Sequence, residues 1–128
     1  MPTPDDLRAV VSAYMDAMNA NDKDAYVALF SNDASLEDPV GSGVRHGHDE
    51  IGEFWDMVHS LSESITLVPT GPPRVAANEV AFPMQAVNNV GGTKMVVDII
   101  DVFVVDDAGK IAGMRAFWDM AEMRPYEG

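Results

Sequence analysis

The sequence predicts an α+β domain with helices packed on one face of a curved sheet, and three observations predict it. Apolar residues recur at helical intervals in three segments between Leu7 and Leu61. Long stretches rich in β-branched and aromatic residues fill the remainder. Glycine-, proline- and aspartate-rich turns separate those stretches.

The first helix follows Pro4-Asp5-Asp6, whose acidic side chains suit a helix N-terminus, and carries Leu7, Val10, Val11, Tyr14, Met15 and Met18 at helical spacing. Tyr14 therefore shares a face with Leu7, Val10 and Met18. After Asn21-Asp22, residues Ala25 to Phe30 predict a short second helix with Val27 and Phe30 on its apolar face, ended by Ser31-Asn32-Asp33. Ala34 to Asp38 reads as a brief strand, because Pro39 disfavours helix at the residue before it. A third helix is predicted from His48 to about Leu61, with Ile51, Phe54, Trp55, Val58 and Leu61 in period and His48 or Asp49 as its only cap candidates.

Strands are predicted at Ile65–Val68, Arg74–Ala77, Val80–Val90, Thr93–Val105 and Lys110–Trp118. Gly91-Gly92 and Asp106-Asp107-Ala108-Gly109 are hairpin turn chemistry, so the last three form a meander. Val96, Ile100, Val102 and Val104 on one side, with Val97, Ile99 and Phe103 on the other, make the long strand apolar on both faces. One face can line a pocket between sheet and helices; the other needs cover, most simply from a second subunit.

A chain of 128 residues, 47% hydrophobic and 23% charged, suits one globular domain spanning residues 1–128. Its net charge of -13, from 21 acidic and 8 basic side chains, repels phosphate backbones and anionic lipid, so neither nucleic acid nor membrane is an expected partner. Without cysteine there is no disulfide framework or thiolate chemistry, and His46, His48 and His59 have no ligand spacing, so no metal site is expected. The N-terminal residues lack a basic region followed by an apolar one, and no later segment runs uncharged and apolar for the length of a membrane span, which predicts a cytoplasmic protein.

Chemistry is concentrated in three places: Glu37-Asp38-Pro39, the stretch Asp98-Ile99-Ile100-Asp101, and Tyr14 on its apolar helix face. A carboxylate within an apolar strand must be paired, protonated or turned to solvent. Asp98 and Asp101 are an odd number apart and so face opposite ways, but alternation alone does not say which is buried. Asp38 is also ordinary turn chemistry, and Tyr14 also suits a core. Met84, Met114 and Met120 with Phe82, Phe103 and Trp118 suit either a core or an adaptable cavity wall.

Taken in order, AVVSAYMDAMNANDKDAYVALF, DASLEDPVGS, VDIIDVF and AGKIAGMRAFW resemble the bacterial Δ5-3-ketosteroid isomerases over nearly the whole chain. That resemblance implies a cone-shaped, nuclear transport factor 2-like fold, with three N-terminal helices on the concave face of a curved mixed or antiparallel sheet. It also implies a homodimer that shifts a carbon–carbon double bond in a steroid with neither metal nor organic cofactor. Asp38 falls where the family has its proton-transfer base, Tyr14 on its oxyanion tyrosine, and Asp101 on the aspartate of its strand motif, leaving Asp98 for the other face. Parity lets Phe82 with Met84, Asp101 with Phe103, and Met114 with Trp118 line one steroid pocket, to which Phe54, Trp55 and Ile99 are added. The family carries tyrosines behind the oxyanion tyrosine where this chain has Trp55 and Phe30; an indole N–H can donate to the oxygen of Tyr14, and a phenyl ring cannot. Two rival functions use the same fold: a polyketide cyclase or hydrolase, and a non-catalytic steroid- or lipid-binding module.

Overall fold

Hydrophobic residues from three helices and an eight-stranded mixed sheet meet in one core in the computed structural model, which describes residues 1–127. The helices are α1 (Pro4–Asn19), α2 (Lys23–Ala28) and α3 (Gly47–Leu61). The strands are β1 (Phe30–Glu37), β2 (Arg45–His46), β3 (Ser64–Pro69), β4 (Arg74–Ala76), β5 (Glu79–Val90), β6 (Thr93–Val105), β7 (Ile111–Phe117) and β8 (Arg124–Pro125). The main path runs β2-β1-β7-β6-β5-β3, with β4 on β5 and β8 on β6.

α1 starts at a reciprocal cap that the acidic first turn only partly announced. Thr3 Oγ1 accepts from the Asp6 amide at 3.1 Å while Asp6 Oδ2 accepts from the Thr3 amide at 2.8 Å. Leu7, Val11, Tyr14 and Ala17 are its buried stripe. Asp22 caps α2 through the Ala25 amide at 3.1 Å. This helix stops at Ala28, so Phe30, expected at its end, instead opens β1, where it pairs with Ile111. Lys110 Nζ donates to the Ala28 carbonyl at 2.9 Å, satisfying a carbonyl at the helix end. His46, rather than His48 or Asp49, occupies the N-cap of α3; its side chain makes no cap bond, and its amide donates to Glu50 at 2.9 Å.

The hairpins at Gly91-Gly92 and after Val105 form as predicted, with β6 antiparallel to both β5 and β7. β1 runs parallel to β7, from Phe30↔Ile111 to Glu37↔Arg115, which makes the sheet mixed. The parallel pairing brings the ends of β1 and β7 to the same place, and Asp38 and Trp118 each lie just past a strand end there.

The concave face of β6 is the odd-numbered set Val97, Ile99, Asp101, Phe103 and Val105, all buried. Ile100, Val102 and Val104 point outward, Ile100 being 50% exposed beside its register partner Phe117 at 41%. Val96 departs from this pattern and is buried although even-numbered; its backbone neighbour on β8 is Arg124. Asp98 is also outward, accepting from Gln85 and Arg124, each at 3.1 Å. No helix of the described residues is long and apolar enough to cross a membrane.

Asn19 ties the end of α1 to an edge strand. Its side chain donates to the Leu67 carbonyl at 3.0 Å and accepts from the Leu67 amide at 2.8 Å, imitating a neighbouring strand. This holds the helix that carries Tyr14 against the sheet. Asn19→Ala should therefore lower unfolding stability by about 1 kcal/mol, read as a reduced urea midpoint at unchanged slope. An unchanged midpoint would mean that water replaces both bonds without cost.

Candidate active site

Between the helices and the concave sheet face lies a cavity of about 570 Å³ whose lining is mostly apolar. Tyr14 enters it from α1, Asp38 from the loop after β1, and Asp101 from β6, so the three residues singled out in the sequence meet in one space.

Asp101 is 0% exposed, and neither carboxyl oxygen has a hydrogen-bond partner among the described residues. Burial, and then the charge of Asp38, push its proton affinity well above the ordinary carboxylate range, with the Tyr14 hydroxyl opposing through close approach rather than a well-formed bond. Burial thus favours the protonated form of the Asp101 carboxyl, for which the cavity wall offers no acceptor. Tyr14 is held edge-on by Phe103 at 5.1 Å and Phe82 at 6.1 Å between ring centres. Burial first, then Asp101, Tyr26 and Asp38, raise its proton affinity as well, so Tyr14 also keeps its proton.

Asp38 is only partly buried, and its Oδ1 accepts from Trp118 Nε1 at 2.7 Å. Burial raises its proton affinity less far than that of Asp101, while the Trp118 bond and the nearby Arg45 charge oppose the shift. The loop that presents it is pinned by four bonds: Val40 N to Ala116 O (2.9 Å), Ser42 N and Oγ to Pro39 O (3.0 and 2.7 Å), and Gly41 N to Glu37 Oε2 (2.9 Å). With Oδ1 occupied by the indole, Oδ2 is the oxygen left to exchange a proton. Two carboxyls in one cavity are thereby unequal: burial raises the proton affinity of both, much further for Asp101, and only at Asp38 do a donor and a nearby cation oppose the rise.

Phe54, Trp55, Met84, Ile99 and Trp118 line the cavity as expected from the sequence. Phe82, Phe103 and Met114 do not: they are buried in the core behind the lining, where the two phenylalanines wedge Tyr14. Trp55 does not donate to Tyr14; its ring stacks on His59 at 3.9 Å and packs against Tyr26 at 4.8 Å.

Among the lining residues that the sequence did not point to are Tyr26 and Arg45. Tyr26 in α2 offered only its four-residue spacing from Phe30 as a signal. Arg45 faces the cavity because β2 pairs with β1 and sets it opposite the buried Leu36, two residues before Asp38; without that pairing its direction is unreadable. Its guanidinium lies 4.6 Å over the Phe54 ring.

A SnoaL-like domain model matches residues 11–114. A steroid delta-isomerase of Nocardioides simplex is 35% identical over 118 residues, covering 92% of this chain and 94% of that protein. Among solved structures, the epoxide hydrolase/cyclase-like enzyme SalBIII, described as acting in pyran ring formation in the polyether salinomycin, superposes with a TM-score of 0.85 at 28% identity. That alignment covers 96% of this chain and 98% of that one. RV0760c from Mycobacterium tuberculosis has the same TM-score at 21% identity, over 97% and 98% of the two chains, and is alike in fold. The protein is a SnoaL-like domain of nuclear transport factor 2-like fold, and within that class the chain belongs to the steroid delta-isomerase family.

Because the folded chain binds the Asp101 proton more tightly than the unfolded chain does, folding takes up a proton once pH exceeds the ordinary carboxylate range. Stability from this group is full below that range and declines as pH rises toward the folded value. Asp101→Asn, neutral throughout, should consequently gain stability relative to the parent across the window that opens at the ordinary carboxylate pKa, about 4, and runs upward. Thermal unfolding across that window checks this; a stability difference independent of pH would mean that Asp101 is ionised in the fold.

Proposed function

We propose that the protein isomerises 3-oxo-Δ5-steroids, or closely similar β,γ-unsaturated ketones, to their conjugated forms. The observation that carries this reading is the meeting of an accessible carboxylate with two protonated donors, Tyr14 and Asp101, in one apolar cavity. The steroid delta-isomerase relative supports the substrate class.

Asp38 removes a proton from the carbon between the ketone and the double bond, and the electron pair of that C–H bond moves into a dienolate. Tyr14 and Asp101 donate to the dienolate oxygen, which gains charge as the proton leaves. Asp38 then returns the same proton two carbons further along the conjugated system, leaving the double bond in conjugation and the enzyme unchanged. Phe54, Trp55, Met84, Ile99 and Trp118 hold the ring system and exclude water. No external co-reactant is required by this proton balance.

Conjugated-enone absorption appearing when purified protein meets a Δ5-3-ketosteroid is the direct test. Asp38→Asn should fold, retain phenolic steroid binding, and lose turnover by at least ~10²–10⁴-fold, whereas Asp98→Asn on the outer face should stay near parental rate. Near-normal turnover by a folded Asp38→Asn protein defeats the mechanism.

A second reading is favoured by Arg45, which joins Asp38 and Asp101 around the cavity, together with the structural likeness to the epoxide hydrolase/cyclase-like enzyme. An arginine and aspartates around one cavity, though not in direct contact here, suit epoxide opening, so an epoxy-polyketide that is cyclised while Δ5-3-ketosteroids are left untouched would transfer the assignment to cyclase.

The functional form under this reading is a homodimer, in line with the apolar outer pair Ile100 and Phe117. Sedimentation should give twice the chain mass for the parent and a monomer for Ile100→Glu/Phe117→Glu; a monomeric parent would refute it.

A further inference from the structure

Alternation gives β5 the even-numbered set Phe82, Met84, Ala86, Asn88 and Val90 on the concave side of the sheet. All but Asn88 are apolar, and Met84, Ala86, Asn88 and Val90 line the cavity. Asn88 therefore stands on β5 as Asp101 stands on β6, a polar side chain in an apolar wall. Its amide nitrogen reaches only the Ala86 carbonyl, at 3.5 Å, the outer limit of a hydrogen bond, and its oxygen has no donor among the described residues. The carboxamide thus faces the cavity with donor and acceptor capacity unused.

The two polar groups lie at opposite ends of the cavity. Phe82 is across from Asp101, Met84 from Ile99, Ala86 from Val97 and Asn88 from Met95. From the first row to the last is a run of six residues, up to about 20 Å at a strand rise of ~3.4 Å. Four fused rings built from bonds of ~1.5 Å span roughly 10 Å. A steroid whose ketone oxygen meets Tyr14 and Asp101 therefore ends near the row of Ala86 and Val97, short of Asn88. The remaining distance, less a hydrogen bond of ~2.9 Å, corresponds to about four to six bonds of extended chain.

The surroundings of Asn88 suit such a chain. Ile65 is its register partner on β3, and the Glu63 amide donates to the Asn89 carbonyl at 2.7 Å, drawing the end of α3 against this row. Leu61, Ile65 and Val90 line the cavity, with Leu61 67% and Val90 48% exposed, so hydrocarbon laid across this end covers apolar surface that is otherwise wet. Arg45, the arginine in the lining, is carried by β2 at the opposite edge of the sheet from β3. With a chain charge of -13 and that cation remote, this end favours a neutral oxygen over a carboxylate.

We propose that the substrate is a Δ5-3-ketosteroid with a side chain on ring D, and that Asn88 binds a neutral oxygen, a hydroxyl or carbonyl, far along that chain. The inference rests on the isomerase reading and makes Asn88 a specificity-determining residue with no part in proton transfer. A contact so far from the reacting carbons is kept from ground state to transition state, so its effect falls on KM.

Two Δ5-3-ketosteroids of the cholane series test this, alike except that the side chain of one ends in a methyl group and that of the other in a primary alcohol. In the parent the alcohol should have a KM roughly 3- to 10-fold lower at similar kcat, because the methyl group leaves the Asn88 amide unpaired. In Asn88→Leu the order should reverse, the hydroxyl now being the unpaired group. Asn88→Ala should also lose the preference, and it replaces the leucine variant if that one does not fold. Equal KM values in the parent would overturn the proposal. So would an alcohol preference that survives substitution of Asn88, which would pass the oxygen to Ser62 at the end of α3. A parent that isomerises a Δ5-3-ketosteroid without a side chain but neither cholane probe overturns this inference alone; one that isomerises none of the three defeats the isomerase reading and this inference with it.

Discussion

The pairing of β5 with β6 sets which side of the sheet every later residue faces. Its register runs unbroken from Glu79↔Val104 to Val90↔Thr93 and places Phe82 across from Asp101. Because side chains alternate, a slip of one residue would expose Phe103 and Val97, bury Asp98, and carry Asp101 out of the cavity. The apolar set on the concave face therefore enforces the position of the one polar group within it. Phe82 and Phe103 act twice in this arrangement, as core that fixes the register and as the walls that hold Tyr14 over Asp101.

The second carboxyl depends on a different constraint. Asp38 lies beyond the end of β1, and the strand that brings it its hydrogen-bond donor is β7, parallel to β1 and separated from it in sequence by most of the chain. A loop alone would leave such a carboxylate mobile and hydrated; the bonds from Val40, Gly41 and Ser42 and the indole of Trp118 remove that freedom. Position then decides chemistry. Full burial without a partner raises the proton affinity of Asp101 far, whereas partial exposure with one donor and one nearby cation limits the rise at Asp38, the difference that the proposed acid and base roles require.

The helices, the long hairpins and the parity of the concave face were legible because each is written locally, in periodicity and in turn residues. Asp101 was separable from Asp98 only by resemblance, since both faces of β6 are apolar and alternation carries no sign; the sheet resolves it by giving Asp98 an outward place with Gln85 and Arg124. What stayed hidden was set by contacts distant in sequence. Phe30 satisfies helical spacing after Val27 but is drawn into β1 by pairing with Ile111. Phe82, Phe103 and Met114 have the parity of cavity residues, yet parity specifies a face and not depth along it, and they lie where the helices close over the sheet. Arg45 and Tyr26 enter the site through a two-residue strand and a six-residue helix, elements too short to declare a direction.

An empty cavity of this kind is held at a cost. Leaving a buried polar group unpartnered costs about 1–3 kcal/mol, and Asp101 has two unpartnered oxygens, one of which carries a proton with nowhere to go. The surrounding core, from Leu7 and Val11 on α1 to Val97 and Phe103 on β6, is what tolerates that cost and prevents the site from relaxing around the acid. A ligand oxygen reaching Tyr14 and Asp101 supplies the missing acceptor, and an oxygen bearing negative charge supplies a better one than a neutral ketone. In the proposed reaction the strain of the unoccupied site would be recovered in proportion to charge on that oxygen, so that an unpartnered acid in a rigid apolar wall would favour an enolate over the ketone it came from.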